Sequence, residues 1–265
     1  MKLCFSTLAC PRWTFDEIVN TAKDFGYDSV EIRGVADKIS ATEITAFDDR
    51  NIEATKARLQ TLGLEITCLT SGATIADETK YSAAMAEAKA YIDLAAKLNV
   101  PYVRVMSTGT PDFSPGSADL TAVGYAELCR YADGKGVTPL LETNGILCDT
   151  AMLSRIMDYV PCENKGVLWD VHHPYRFNDE SPETTIANVG KYIKHVHFKD
   201  SVVIDGAINY KITGYGDLPL KKIVKLLKDE GYEGAFSLEW VKRWDTTLEE
   251  PGIVLMNYVH YMQEV

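Results

Sequence analysis

The chain has 265 residues, 46% apolar and 25% charged, with a formal net charge of −11. That length suits one α/β barrel with a large core, and the acidic balance argues against nucleic acid, which is bound largely through lysine and arginine. No apolar run nears the roughly 20 residues of a membrane span, and the first one halts at Pro11, too soon for a secretory leader. Six scattered cysteines, at 4, 10, 68, 129, 148 and 162, show no CxxC or CxxH spacing. They read as reduced thiols in a cytoplasmic protein.

In chain order, strand-like and helix-like segments alternate. The first strand is 2–8, followed by a helix from Thr14, where TFDE reads as a capping box, to a C-cap at Gly26. Strand two (28–34), helix two (48–62), strand three (64–72), the Ala-rich helix 81–98 and strand four (101–107) follow. Then come helix 118–132, strand five (138–144), helix 150–159 and strand six, ending at Asp170. A short helix (183–191) leads to strand seven (193–198) and a long loop (200–217). The next helix places Leu220, Ile223, Val224 and Leu227 on one face at 3/4 spacing. Strand eight (234–240) and a helix over 249–263 close the chain. Eight strand–helix units without a linker predict a single (β/α)8 TIM barrel domain over 1–265. A doubly wound sheet would want a glycine-rich loop after strand one, and TLACPRWT has none.

Four consecutive strands end in potential metal ligands: Glu142, Asp170, a histidine of HVH (195–197) and Glu239. Successive positions lie 28, 27 and 42 residues apart, about one strand–helix unit each, the last enlarged by the 200–217 loop. A barrel brings strand C-termini to one level, so these groups can meet at one point. Three carboxylates and one imidazole suit a hard or borderline divalent ion. His195 and His197 share a face, and one of them suffices. Glu142 and Glu239 are the expected acid/base pair, with Asp200 as a substitute base. Lys199 and Arg33 are candidate hydrogen-bonders to substrate, and Phe5, Trp13, Trp169 and Trp240 are candidate sugar-pocket walls, of which two at most are expected to serve.

From FGYDSVEIR (25–33) through DVHHP (170–174) and HVHFKD (195–200) to SLEW (237–240), the chain resembles the xylose isomerase-like superfamily of sugar isomerases and epimerases. That group includes ketohexose 3-epimerases, inosose dehydratases and type IV apurinic endonucleases. The resemblance implies the metal ligands Glu142, Asp170, His197 and Glu239, with His173 on a substrate hydroxyl and the GYGD turn (214–217) over the site. Two departures narrow it. Segments 69–74 and 104–110 hold none of the histidines that the endonucleases' trinuclear zinc requires, and Cys148 stands where ketohexose epimerases place a second acid.

The expected function is a divalent-metal-dependent sugar isomerase or epimerase acting through an enediolate on a keto or aldose sugar. The alternative is a metal-dependent lyase, inosose dehydratase-like or an eliminase of 3-keto glycosides. A non-catalytic barrel subunit and an apurinic endonuclease rank below both. One metal ion is expected, Mn²⁺ first, with Mg²⁺, Co²⁺ or Zn²⁺ as alternatives. The expected partner is a small carbohydrate, with neither nucleic acid nor membrane, and a homo-oligomer is compatible with such a barrel.

Overall fold

The computed structural model describes residues 1–110 and 116–265. Its strands are β1 (Lys2–Ser6), β2 (Ser29–Ile32), β3 (Glu65–Thr74), β4 (Tyr102–Met106), β5 (Thr138–Glu142), β6 (Gly166–Asp170), β7 (Ile193–Phe198), β8 (Asp200–Ile204), β9 (Ala207–Lys211) and β10 (Ala235–Leu238). The first seven and β10 are parallel and close into a barrel in the order β1-β10-β7-β6-β5-β4-β3-β2. Around it run α1 (Phe15–Phe25), α2 (Ile52–Leu62), α3 (Tyr81–Leu98), α4 (Ala118–Ala132), α5 (Thr150–Tyr159), α6 (His172–Phe177), α7 (Pro182–Val189), α8 (Leu220–Asp229) and α9 (Pro251–Gln263). This is the predicted TIM barrel. Among the described residues, no helix is long and apolar enough to cross a membrane.

Local chemistry accounts for the element ends. The capping box at α1 is made: the Glu17 amide donates to Thr14 Oγ1, and the Thr14 amide donates 2.7 Å to the Glu17 carboxylate. Gly26 then ends the helix at φ +79°, which a residue lacking Cβ adopts without strain. On α8 the side chains of Leu220, Ile223, Val224 and Leu227 are all buried, so the predicted face is the packed one.

Three stretches differ from the sequence expectation. The loop expected over 200–217 opens as the antiparallel hairpin β8–β9. Its turn is Asp205-Gly206, both at positive φ, and an Asp-Gly pair between two β-rich runs is a hairpin signal. The single helix expected after strand six is two: α6 begins two residues beyond Asp170, and α7 starts at a separate cap, Ser181. Finally, α2 starts at Ile52 because 48–51 form a turn in which the Asp48 carboxylate accepts the amides of Arg50 and Asn51.

Register sets the site. Asp170 on β6 pairs with His197 on β7, and the Val171 amide donates to the His197 carbonyl. The Glu239 amide, just past β10, donates 2.9 Å to the Phe198 carbonyl. Side chains from three neighbouring strands thus emerge at one height at the carboxyl end of the barrel, where (β/α)8 chemistry is housed.

Candidate active site

Glu142, Asp170, His197 and Glu239 each offer a ligand atom lying within 4.8 Å of the other three. His197 Nδ1 is 3.2 Å from Glu239 Oε1, 3.8 Å from Asp170 Oδ2 and 3.9 Å from Glu142 Oε1. All four residues are buried, yet Glu142 and Glu239 line a cavity of about 560 Å³ at the mouth of the barrel. Arg33, Arg104, His173, Lys199, Tyr210 and Trp244 line it too.

The supporting groups come from across the barrel. Glu31 on β2 is fully buried, and its Oε2 meets Nε2 of both His197 (2.8 Å) and His195 (2.7 Å). Thr70 and Ser237 donate to the same carboxylate. Burial alone would raise the Glu31 carboxyl, but the charge of His197 and hydrogen bonds from both histidines hold it well below the usual range. Arg104 on β4 donates 2.9 Å to Glu142 and 2.6 Å to the Ser71 carbonyl. Lys199, also buried, sits 2.7 Å from Asp170 Oδ2 and donates to Glu239 Oε2.

These neighbours push the two glutamates in opposite directions. Burial lifts the Glu142 carboxyl above its ordinary range; Arg104 opposes this and Glu239 adds to it. Burial acts the same way on Glu239, but Lys199 and then His197 overcome it and hold that carboxyl low. His173 is neutral, since burial takes its pKa down to about 3 against the pull of Asp170. Its Nδ1 lies 3.2 Å from the Thr143 carbonyl, which fixes the proton there and leaves Nε2 as an acceptor at the cavity.

A divalent ion fits this donor set. His197 Nδ1 is buried without a hydrogen bond and faces the centre of the quartet, toward which Asp170 Oδ2, ion-paired with Lys199, also points. With Nε2–H directed at Glu31, Nδ1 is the nitrogen that faces the quartet. Against the effect of burial, the surrounding carboxylates hold a proton on it, and its loss on metal binding would leave Nδ1 as the ligand, with a carboxylate behind the ring. Two other groupings are less suited. In Glu31–His195–His197 the close atoms are already hydrogen-bonded to one another, and in Asp170–His172–His173 the His172 Nε2 is engaged by Ser201.

Residues 19–254 match the family described as xylose isomerase-like TIM barrel. The chain belongs to that family. A fructoselysine 3-epimerase from Shigella flexneri is 25% identical over 265 residues, covering 96% of this chain and 94% of its own. An inosose dehydratase from Serratia proteamaculans (strain 568) is 29% identical over 175 residues, 58% of this chain and 57% of its own. Among solved structures, the IOLI protein with a bound zinc atom has a TM-score of 0.81 at 18% identity, with 100% of this chain and 97% of that one covered. The likeness to it shows the fold. The curated relatives of this xylose isomerase-like chain are sugar epimerases and inosose dehydratase or isomerase enzymes.

The structure brings together the quartet, His173, Lys199 and Arg33 around one cavity. Other expectations fail. Asp200 cannot serve as the base, because its carboxylate accepts the amides of Gly214, Gly216 and Leu218 and thereby ties down the GYGD turn. That turn does not line the main cavity. Phe5, Trp169 and Trp240 are fully buried in the packing, and Trp13 is outside the cavity lining; the aromatic walls are Tyr210 and Trp244. Sequence reasoning missed Glu31 and Arg104. Each is a charge inside an otherwise apolar strand, and that was the available signal.

Proposed function

We propose that this protein is a divalent-metal-dependent sugar isomerase or epimerase that moves a proton at a carbon beside a carbonyl. The observation that carries the reading is the pair Glu142 and Glu239, pushed in opposite directions around one point onto which His197 Nδ1 and Asp170 Oδ2 also converge. A base and an acid at one substrate atom need such a separation of carboxyls.

Glu142, Asp170, His197 and Glu239 would hold the ion, which when bound polarises the substrate carbonyl and acidifies the adjacent C–H. Mn²⁺ is our first assignment, since carboxylate-rich sites with one imidazole suit it. Glu239, kept ionised by Lys199, takes the proton from the substrate carbon. The electron pair of that C–H bond moves toward the carbonyl oxygen, and Lys199 and Arg104 lie where they offset the charge that develops. Return of a proton to the opposite face of the same carbon gives an epimer; return to the neighbouring carbon gives an isomer. Glu142, across the same point, whose carboxyl burial makes the harder of the two to ionise, would return the proton. The Nε2 of His173 accepts from a substrate hydroxyl and orients the sugar. Six scattered cysteines with no CxxC or CxxH spacing suit a reducing cytoplasm.

A second reading is favoured by the same raised Glu142 carboxyl. After proton removal, Glu142 could protonate a departing β-hydroxyl, which would make the protein a dehydratase, as its relative from Serratia proteamaculans is named.

The test is solvent exchange. Mn²⁺-loaded protein is incubated in D₂O with ketoses, inososes and 3-keto glycosides, and products are read by mass spectrometry and chromatography. Deuterium next to a carbonyl in an epimer or isomer is the expected result. An unsaturated product moves the assignment to the lyase, and no incorporation from any compound contradicts both readings.

A further inference from the structure

Of the three cations lining the main cavity, Arg104 is paired with Glu142, and Lys199 with Asp170 and Glu239. Arg33 is different. Its guanidinium makes one hydrogen bond among the described residues, from Nη1 to the Ile39 carbonyl at 3.3 Å, and no described carboxylate pairs with it. A half-buried guanidinium lining a cavity without a paired carboxylate is suited to an incoming anion. The surroundings sharpen the deficit. Burial and then the neighbouring Arg104 take the Arg33 pKa down to about 10 against the opposing pull of Tyr91 and Glu87, so it remains a cation whose nearest carboxylate, Glu87, is too distant to pair with it. Arg243 also lacks a described carboxylate partner and donates to the carbonyls of Ala36 and Pro11.

The site around this guanidinium is built. The Trp244 ring, 55% exposed at the cavity wall, lies with its centroid 5.6 Å from Arg33 Cζ and shields one face. On another side is Gly72, where a Cβ would stand 3.3 Å from Arg33 Nη2 and press on the guanidinium. The missing side chain keeps the fork's approach open. A second cavity, about 650 Å³, adjoins the first at Arg33 and Gly72, so a substrate gripped at Arg33 has room to extend.

We propose that Arg33 binds a carboxylate carried by the substrate, so that the protein acts on an acidic sugar: a keto sugar acid, or a keto sugar joined to a carboxylic acid. This rests on the sugar reading of the quartet and names the substrate class for it. The shared chemistry is an oxyanion on a planar two-donor fork. A carboxylate monoanion matches the single unpaired charge. A phosphate dianion would meet Glu87, across Gly72, and Asp245, on the cavity wall, with one free cation to hold it.

The experiment compares matched probes on one carbon skeleton: D-fructuronate, D-fructose and D-fructose 6-phosphate, with the tagatose series beside them. Affinities for the Mg²⁺-loaded full chain and for its Arg33→Met and Arg33→Lys variants are measured by titration calorimetry. We expect the uronate to bind at least about tenfold tighter than the neutral ketose. Arg33→Met should abolish that preference by weakening the uronate at least about tenfold more than the neutral ketose, and Arg33→Lys should restore part of it. Equal affinities, a preference that survives Arg33→Met, or no binding by any member overturns the proposal; so does an Arg33-dependent preference for the phosphate. Proton exchange into neutral ketoses without an acid preference would leave the isomerase reading standing alone. Arg33-dependent uronate binding without exchange would do the reverse.

Discussion

The two sides of the barrel mouth do different work. The side formed by β5, β6, β7 and β10 ends in Glu142, Asp170, His197 and Glu239, four donors aimed at one point. The side formed by β2 and β4 carries Glu31, Arg33 and Arg104, which aim at those donors or at the cavity beside them. The first side is a set of acceptors whose mutual repulsion must be offset. The second offsets and orients it: Arg104 pairs with Glu142, and Glu31 turns His197 so that Nδ1 faces the carboxylates. A strand-end ligand is therefore half of a site, and the strands across the lumen decide what that ligand can do.

The largest expected effect comes from the donor side. Glu239→Gln keeps the shape but removes the base, and solvent exchange into substrate should fall about 10³-fold with the melting temperature little changed. An unaltered rate would mean that the proton moves elsewhere. A smaller effect is expected from the opposite side. Glu31→Gln should weaken Mn²⁺ binding roughly 10- to 100-fold by calorimetry, with changed ¹⁵N shifts for the rings of His195 and His197. If affinity and shifts both stay as they are, the opposite side is mere filling. The smallest effect lies outside both. Gly26 sits at φ +79° with nothing near its would-be Cβ, so Gly26→Ala should cost about 1 kcal/mol through backbone strain alone. Its signature is a melting temperature lower by roughly 2–4 °C with Mn²⁺ affinity unchanged; a loss of affinity would tie the scaffold to the site more closely than this comparison allows.

The same division explains what could be read from the chain. Glu142, Asp170 and Glu239 are legible because each terminates an apolar run, as the HVH pair does too, and the family resemblance selects His197 within that pair. Glu31 stands in an equally plain run, but its partners His195 and His197 are 164 and 166 positions away, and only closure of the barrel brings β2 opposite β7. Arg104 needs the same closure to reach Glu239. The β8–β9 hairpin differs in kind: its signal, Asp205-Gly206, is local, but the strand–helix alternation of a barrel leads to the expectation of a plain loop there. The aromatic walls had no signal, since Tyr210 and Trp244 lie outside the barrel strands, while the tryptophans at strand ends face the packing.

The most direct test of the central claim is an anomalous-scattering map from crystals grown with Mn²⁺. The account predicts one strong peak about 2.0–2.4 Å from His197 Nδ1, Asp170 Oδ2 and the carboxylates of Glu142 and Glu239. A quartet without a peak, or a peak held by Glu31, His195 and His197 instead, would contradict it.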